Sequence, residues 1–306
     1  MEVTMIQDMI SRIQKLKEAQ HAVILAHNYV VPEIQDVADF VGDSLELSRK
    51  ARDNNAETII FCGVRFMGET AKLLCPQARV IMPTAAAGCP MADSCLYEGL
   101  RAWKADHPEH TLVAYVNTTA ATKSLVDICV TSGNAEKIVS KLDHTKPIMF
   151  LPDRNLGANL NHRLGLNMDL WNGCCWLHNG IKVADIARAK AENPDAAVMV
   201  HLECQPEVVA MADAALSTAG MLKYVEKSNA KRFIVGTESG MLHRLEVLFP
   251  DREFIGLEPT LVCHNMKKNT LELLVDALEG RGYEITLPED IMASAVRPIE
   301  RMLEWS

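Results

Sequence analysis

Residues 22–28 read AVILAHN, residues 111–117 TLVAYVN and residues 197–203 AVMVHLE: three short apolar runs, each closing on polar residues. Runs this short and this apolar are what a strand buried on both faces requires, as in a parallel sheet. Their ends lie 89 and 86 residues apart. A second run follows each one, TIIFCGV (58–64), PIMFLPD (147–153) and RFIVGTE (232–238), ending 36, 36 and 35 residues further on. A third run, ARVIMPT (78–84) and EFIGLEP (253–259), is clear in the outer repeats and poor in the middle one. Helical sequence separates the runs, which makes each repeat a set of βα units. The predicted fold class is α/β, with three pseudo-repeated three-layer αβα sandwich domains around a central active site. Residues 1–104, 105–190 and 191–287 form the three repeats, and residues 288–306 a C-terminal closing helix. In that helix Ile291, Ala295, Ile299 and Leu303 recur at a spacing of four, and it is expected to pack on the first repeat. A helix is also expected over Ile6, Met9, Ile10, Ile13 and Leu16, opened by a Thr4/Gln7 capping box.

The polar residues that close the first runs repeat in register. His27/Tyr29, Tyr115/Asn117 and His201/Glu203 are i, i+2 pairs, so both members of each lie on one side of an extended strand. Ligands in open parallel sheets bind beyond the carboxyl ends of the strands. Three such pairs can therefore enclose one site about a pseudo-threefold axis. Ser44, Ser132 and Thr218 follow the run ends by 16, 15 and 15 residues, each where a helix is expected to start. A hydroxyl there can cap the helix, and the same helix end offers N–H groups to phosphate or carboxylate.

Composition narrows the partners. The 306 residues carry 31 basic against 40 acidic side chains, a net charge of −9. That balance argues against a nucleic-acid or anionic-membrane partner, although a pocket can still bind a small anion. At 48% hydrophobic and 23% charged residues, disorder is excluded. No apolar run reaches the roughly 18 residues of a membrane span. Glu2 and Asp8 stand where a signal peptide would be basic and then apolar, so a cytoplasmic location is expected.

Nine cysteines in a chain expected to stay reduced are either small buried hydrophobes or ligands. There is no CxxC, no GxGxxG and no P-loop, which removes zinc ribbons, ferredoxin-type loops and nucleotide folds. Cys89, Cys175 and Cys263 follow the three run ends by 61, 58 and 60 residues, one per repeat in glycine- or proline-rich, loop-like sequence. Three converging thiolates suit iron–sulfur, zinc or copper(I), and three ligands leave a metal position open to substrate. Cys174 adjoins Cys175, and spacing alone does not separate them. Cys62 is expected within a strand, with Cys75 and Cys129 in or at the ends of helices.

The motifs AHNYVVPEIQDVADFVGDSLELS, CGVRFMGETAKLL, GCPMAD, LPDRNLG, WNGCC, HLECQPEV, STAGM, GTESGML and CHNMKKNTLELL together resemble the quinolinate synthases over essentially the whole chain. These are the iron–sulfur enzymes of de novo NAD biosynthesis. Gly68 and Leu202 depart from the Ala and Pro common in the family. The resemblance implies one [4Fe–4S] cluster with three cysteine ligands, Cys89, Cys175 and Cys263, and one open iron site. It implies condensation of iminoaspartate with dihydroxyacetone phosphate to quinolinate, with loss of phosphate and water. It further implies catalytic roles for His27, Tyr29, His201 and Glu203. Ser44, Tyr115, Asn117, Ser132 and Thr218, with His27, His201 and Glu203, would hold the substrates. Glu203 is expected as the general base, its pKa raised by enclosure. An iminoaspartate-producing enzyme would be a transient partner, and the MGETAK segment around Met67 a lid. The alternatives are another open-iron hydro-lyase, which would want an arginine clamp, or a non-enzymatic iron–sulfur sensor.

Overall fold

The computed structural model describes residues 2–53 and 56–306, with side chains from Ile6 onward. Each repeat builds a parallel sheet with the same strand order. In the second sheet the order is Ile128–Val130, Thr111–Tyr115, Ile148–Leu151, Asp169–Leu170. In the third it is Ala214–Leu216, Ala197–His201, Arg232–Gly236, Glu253–Gly256. The first runs Phe40–Gly42, Ala22–His27, Thr58–Cys62, Arg79–Met82. The weak third run of the middle repeat is thus a two-residue strand, Asp169–Leu170. Helices pack on the sheets, completing the α/β sandwiches; no described helix is long and apolar enough to cross a membrane.

The strands the sequence did not announce are Phe40–Gly42, Ile128–Val130 and Ala214–Leu216, each three residues long. An aspartate sets each one beside its neighbour. Asp39, Asp127 and Asp213 accept the N–H groups of Ile24, Leu112 and Val198 at 2.7–2.8 Å. These short strands run straight into the segments carrying Ser44, Ser132 and Thr218, delivering those hydroxyls to the strand ends. Cys129 lies in one of them, not in a helix.

The chain then returns to its beginning. Helix Leu271–Asp276 packs on the N-terminal helix Glu2–Ala19, and Tyr283–Glu284 joins the first sheet antiparallel to Arg79–Met82. Residues 271–284 therefore build onto the first repeat, where the sequence division kept them with the third. The helix starts at Glu2, so a Thr4 cap would fall inside it; the Thr4 side chain lies outside the described residues. The closing helix, Glu289–Trp305, packs chiefly on Ile128–Val130 and Ala120–Lys123 of the second repeat. Its main contact with the first repeat is helix Arg65–Leu74. Burying Ile299, Met302 and Leu303 there covers the open edge of the second sheet. Met67 belongs to helix Arg65–Leu74 and is buried, so the segment expected as a lid is a packed wall.

Candidate active site

The carboxyl ends of the three sheets face one cavity. It is lined by His27, Tyr29, Ser44 and Cys89 from the first repeat and Tyr115, Asn117, Ser132 and Cys175 from the second. His201, Glu203, Thr218 and Cys263 come from the third. Every residue singled out from the sequence reaches this space, whereas Cys174 is not among its lining residues.

The two histidines are built alike. His27 Nδ1 accepts the Tyr29 N–H, and His201 Nδ1 accepts the Glu203 N–H, both at 3.2 Å. A ring nitrogen that accepts from a backbone donor carries no proton, so the hydrogen of each neutral ring sits on Nε2. Burial, helped by the His201 charge, lowers His27 to about 3. Burial lowers His201 to about 4 against the pull of Glu203. Both rings are neutral donors at physiological pH. Burial pushes Glu203 upward, but its interactions with the His201 and His178 rings and the hydrogen bonds from His178 and Tyr115 outweigh it. Its pKa is held low, not raised as enclosure alone would have it.

Glu203 is the centre of a relay. The Tyr115 hydroxyl donates to Oε1 at 2.6 Å, and His178 Nδ1 lies 2.8 Å from Oε2. His178 Nε2 lies 2.8 Å from Thr237 Oγ1, which lies 2.6 Å from the Tyr29 hydroxyl. Burial raises Tyr29 well above the usual phenol range, with the Glu203 charge adding to it. His178 and Thr237 were missed in the sequence. Thr237 sits in the quoted run RFIVGTE directly after strand Arg232–Gly236, where a strand-end rule applied to the second runs would have found it. His178 sits on helix Trp176–Gly180 behind Cys175 and has no counterpart in the other repeats to flag it. The ligand atoms of Cys175, His178 and Glu203 lie within 4.8 Å of one another. Both nitrogens of His178 are already hydrogen-bonded, so this group is a hydrogen-bonded triad and not an ion site.

The cavity hydroxyls are not the helix caps. Asp43 Oδ1 accepts the N–H groups of Leu45 and Glu46, and Ser217 Oγ accepts that of Gly220. Thr131 Oγ1 accepts the Gly133 N–H. The residue before the hydroxyl does the capping in the outer repeats and closes a turn ahead of the helix in the middle one, which leaves Ser44, Ser132 and Thr218 to face the cavity. Thr218 Oγ1 accepts from Asn28 Nδ2 at 2.9 Å, and Ser132 Oγ lies 3.4 Å from His201 Nε2.

The three cavity cysteines differ from Cys62, Cys95, Cys129 and Cys204, which are buried in the core. Each precedes a helical turn, Pro90–Asp93, Trp176–Gly180 or Met266–Lys268. Backbone N–H groups of those turns point at the sulfurs: Ala92 and Met91 at Cys89, His178 at Cys175, Met266 and Asn265 at Cys263. Burial nonetheless pushes Cys89 up to about 12 and raises Cys175 and Cys263. Such thiols ionise only with a cationic partner, and the N–H groups suit the sulfur ligands of an iron–sulfur group. The donor set fits.

Comparison with known proteins follows this geometry. The family model described as quinolinate synthetase A protein matches residues 11–304. A quinolinate synthase of Geobacter metallireducens is 48% identical over 95% of this chain and 95% of its own. Those of Nostoc punctiforme and Thermodesulfovibrio yellowstonii are each 45% identical over 98% of this chain, and over 94% and 99% of theirs.

Proposed function

The chain belongs to the quinolinate synthetase A family, and from that membership we propose how its cavity closes the pyridine ring of quinolinate. It is an enzyme of NAD biosynthesis in an iron–sulfur-dependent family. The substrates assigned are iminoaspartate and dihydroxyacetone phosphate, joined with loss of phosphate and water. Cys89, Cys175 and Cys263 are assigned to one [4Fe–4S] cluster with an open iron, which when bound supplies a Lewis acid for a departing hydroxyl.

The chain's own residues do the rest. Tyr29 ends the relay at the cavity and exchanges a proton with substrate during carbonyl–enol rearrangement. Thr237 passes that proton to His178, and the Glu203 carboxylate, steadied by Tyr115, stabilises the imidazolium that forms. Glu203 thus orients and neutralises charge, a revision of its expected part as the base. His27 and His201 donate from Nε2 to substrate oxygens. Ser44, Asn117, Ser132 and Thr218 give uncharged donors to carboxylates and phosphate.

The observation that carries this reading is the meeting of one cysteine and one polar pair from each repeat on a single cavity. The test is anaerobic purification and reconstitution, with iron counted and quinolinate assayed from the two substrates. A brown protein with about four iron per chain and activity in both substrates is expected. A colourless protein that makes quinolinate would overturn the cluster assignment.

A further inference from the structure

Buried carbonyls at the three strand ends are met in the same way in each repeat. Gln35 Nε2 donates to Asn28 O at 3.0 Å and Val30 O at 3.1 Å, the carbonyls on either side of Tyr29. Lys123 Nζ donates to Val116 O at 2.7 Å and to Thr118 O, on either side of Asn117. Asn159 Nδ2 donates to Leu202 O and Cys204 O, both at 2.9 Å, on either side of Glu203. We infer that Gln35, Lys123 and Asn159 are positioning residues for the reaction, each clamping with one nitrogen the carbonyls of the residues just before and just after a cavity residue.

Holding the carbonyls on both sides pins the ends of the short backbone span that carries the cavity residue and leaves its side chain chiefly its own rotamers. All three donors are buried, Lys123 completely. An ammonium in such a place is costly unless its hydrogens are used, and here two carbonyls use them. Gln35 and Lys123 stand at the same interval from the carbonyls they hold. At that interval the third repeat has Val209, and the donor arrives from another helix, Arg154–Leu164 of the second repeat. An amide, an ammonium and a second amide from a different helix make one contact. What is shared is the clamp around the cavity residue, not a repeated sequence.

Buried carbonyls also need donors for stability alone, and the test must separate that from positioning. The inference rests on the site proposed above. Lys123→Met is made in the natural sequence and in an Asn117→Ala background, and the reconstituted enzymes are compared for iron content, Tm and kcat/KM. Expected is a loss of about 10-fold or more in kcat/KM in the first background and less than about 2-fold in the second, with iron unchanged in both. Tm should fall equally in the two. An equal fall of kcat/KM in both backgrounds, or a fall of Tm alone, would overturn the inference. Asn117→Ala with unimpaired turnover would remove Asn117 from the site, and the clamp's purpose there with it. If Lys123→Met does not fold, Gln35→Leu against Tyr29→Phe decides the same question, additive losses refuting it.

Discussion

Asp153 Oδ2 accepts the Cys175 N–H at 3.2 Å, and Glu238 Oε1 accepts the Cys263 N–H at 3.0 Å. Both carboxylates stand two residues past the third strand of their sheets; the equivalent residue of the first repeat is Val64. The first repeat has an amide clamp where the second has a lysine and puts Val64, Phe66, Met67 and Met91 on the cavity wall, but it too buries a carboxylate there, Asp43, which burial and then Glu46 push up to about 6. Three sheets of one topology have thus diverged in electrostatics. The carboxylate that stands behind a cavity cysteine in the second and third repeats is replaced by valine in the first, and each buried carboxylate is held at a cost. Burial, then Glu203, pushes Asp153 up to about 8. Burial raises Glu238 against Lys267, whose Nζ donates to it at 3.1 Å and to Tyr29 O at 2.8 Å.

The largest effect tests whether the contrast reaches the sulfurs. Cys89→Ala, Cys175→Ala and Cys263→Ala should each abolish activity and the visible absorbance of the cluster, and Cys174→Ala neither. Colour surviving in Cys89→Ala alone would mean that the first repeat holds no ligand. Next comes the relay. His178→Ala should lower kcat by about 10²–10⁴-fold with KM little changed and iron retained. Combining it with Tyr29→Phe should add little, since both break one chain; multiplicative losses would separate them.

The lysine clamp predicts a pH dependence peculiar to the second repeat. Burial lowers Lys123 from 10.5 to about 8, against the pull of Cys129 and Glu69. Between about pH 8 and 10.5 the unfolded chain keeps a proton that the folded protein has released, so stability rises with pH across that window. Urea titrations of Lys123→Met should lack this rise, on the order of 3 kcal/mol. Parallel curves would mean the amine keeps its proton throughout. The smallest effect is at Glu238. Glu238→Gln replaces one of two acceptor oxygens with an NH2 donor facing the Cys263 or Gly240 N–H, which should cost about 1–3 kcal/mol in urea unfolding and some iron occupancy. No loss would show that the carboxylate behind Cys263 is dispensable, and the repeats more alike than their residues suggest.

The strands were legible because each is an apolar run, and the cavity because its residues repeat in register with those runs. Phe40–Gly42 and its two counterparts were not: three residues are too few to show a period. Asp153 and Glu238 lay in plain view, each the last letter of a quoted run, but with Val64 as the third member they showed no common chemistry. The hydroxyls were correctly placed near helix starts and wrongly given the cap, because adjacent polar residues such as Asp43 and Ser44 compete for it and only backbone geometry decides. The closing helix showed its apolar face, which says that a helix packs but not on what.

The return of the chain to its first sheet sets an order of events at the ribosome. Strand Arg79–Met82 finds its outer partner in Tyr283–Glu284, and Arg79 its ion pair with Glu284, only 205 residues later. At roughly 5–20 residues per second that is a wait of about 10–40 s with an unpaired strand edge on a nascent domain. Such edges template pairing between chains. Expression faster or warmer than the cell intends should therefore fail first by aggregation through this edge, before any question of iron supply arises.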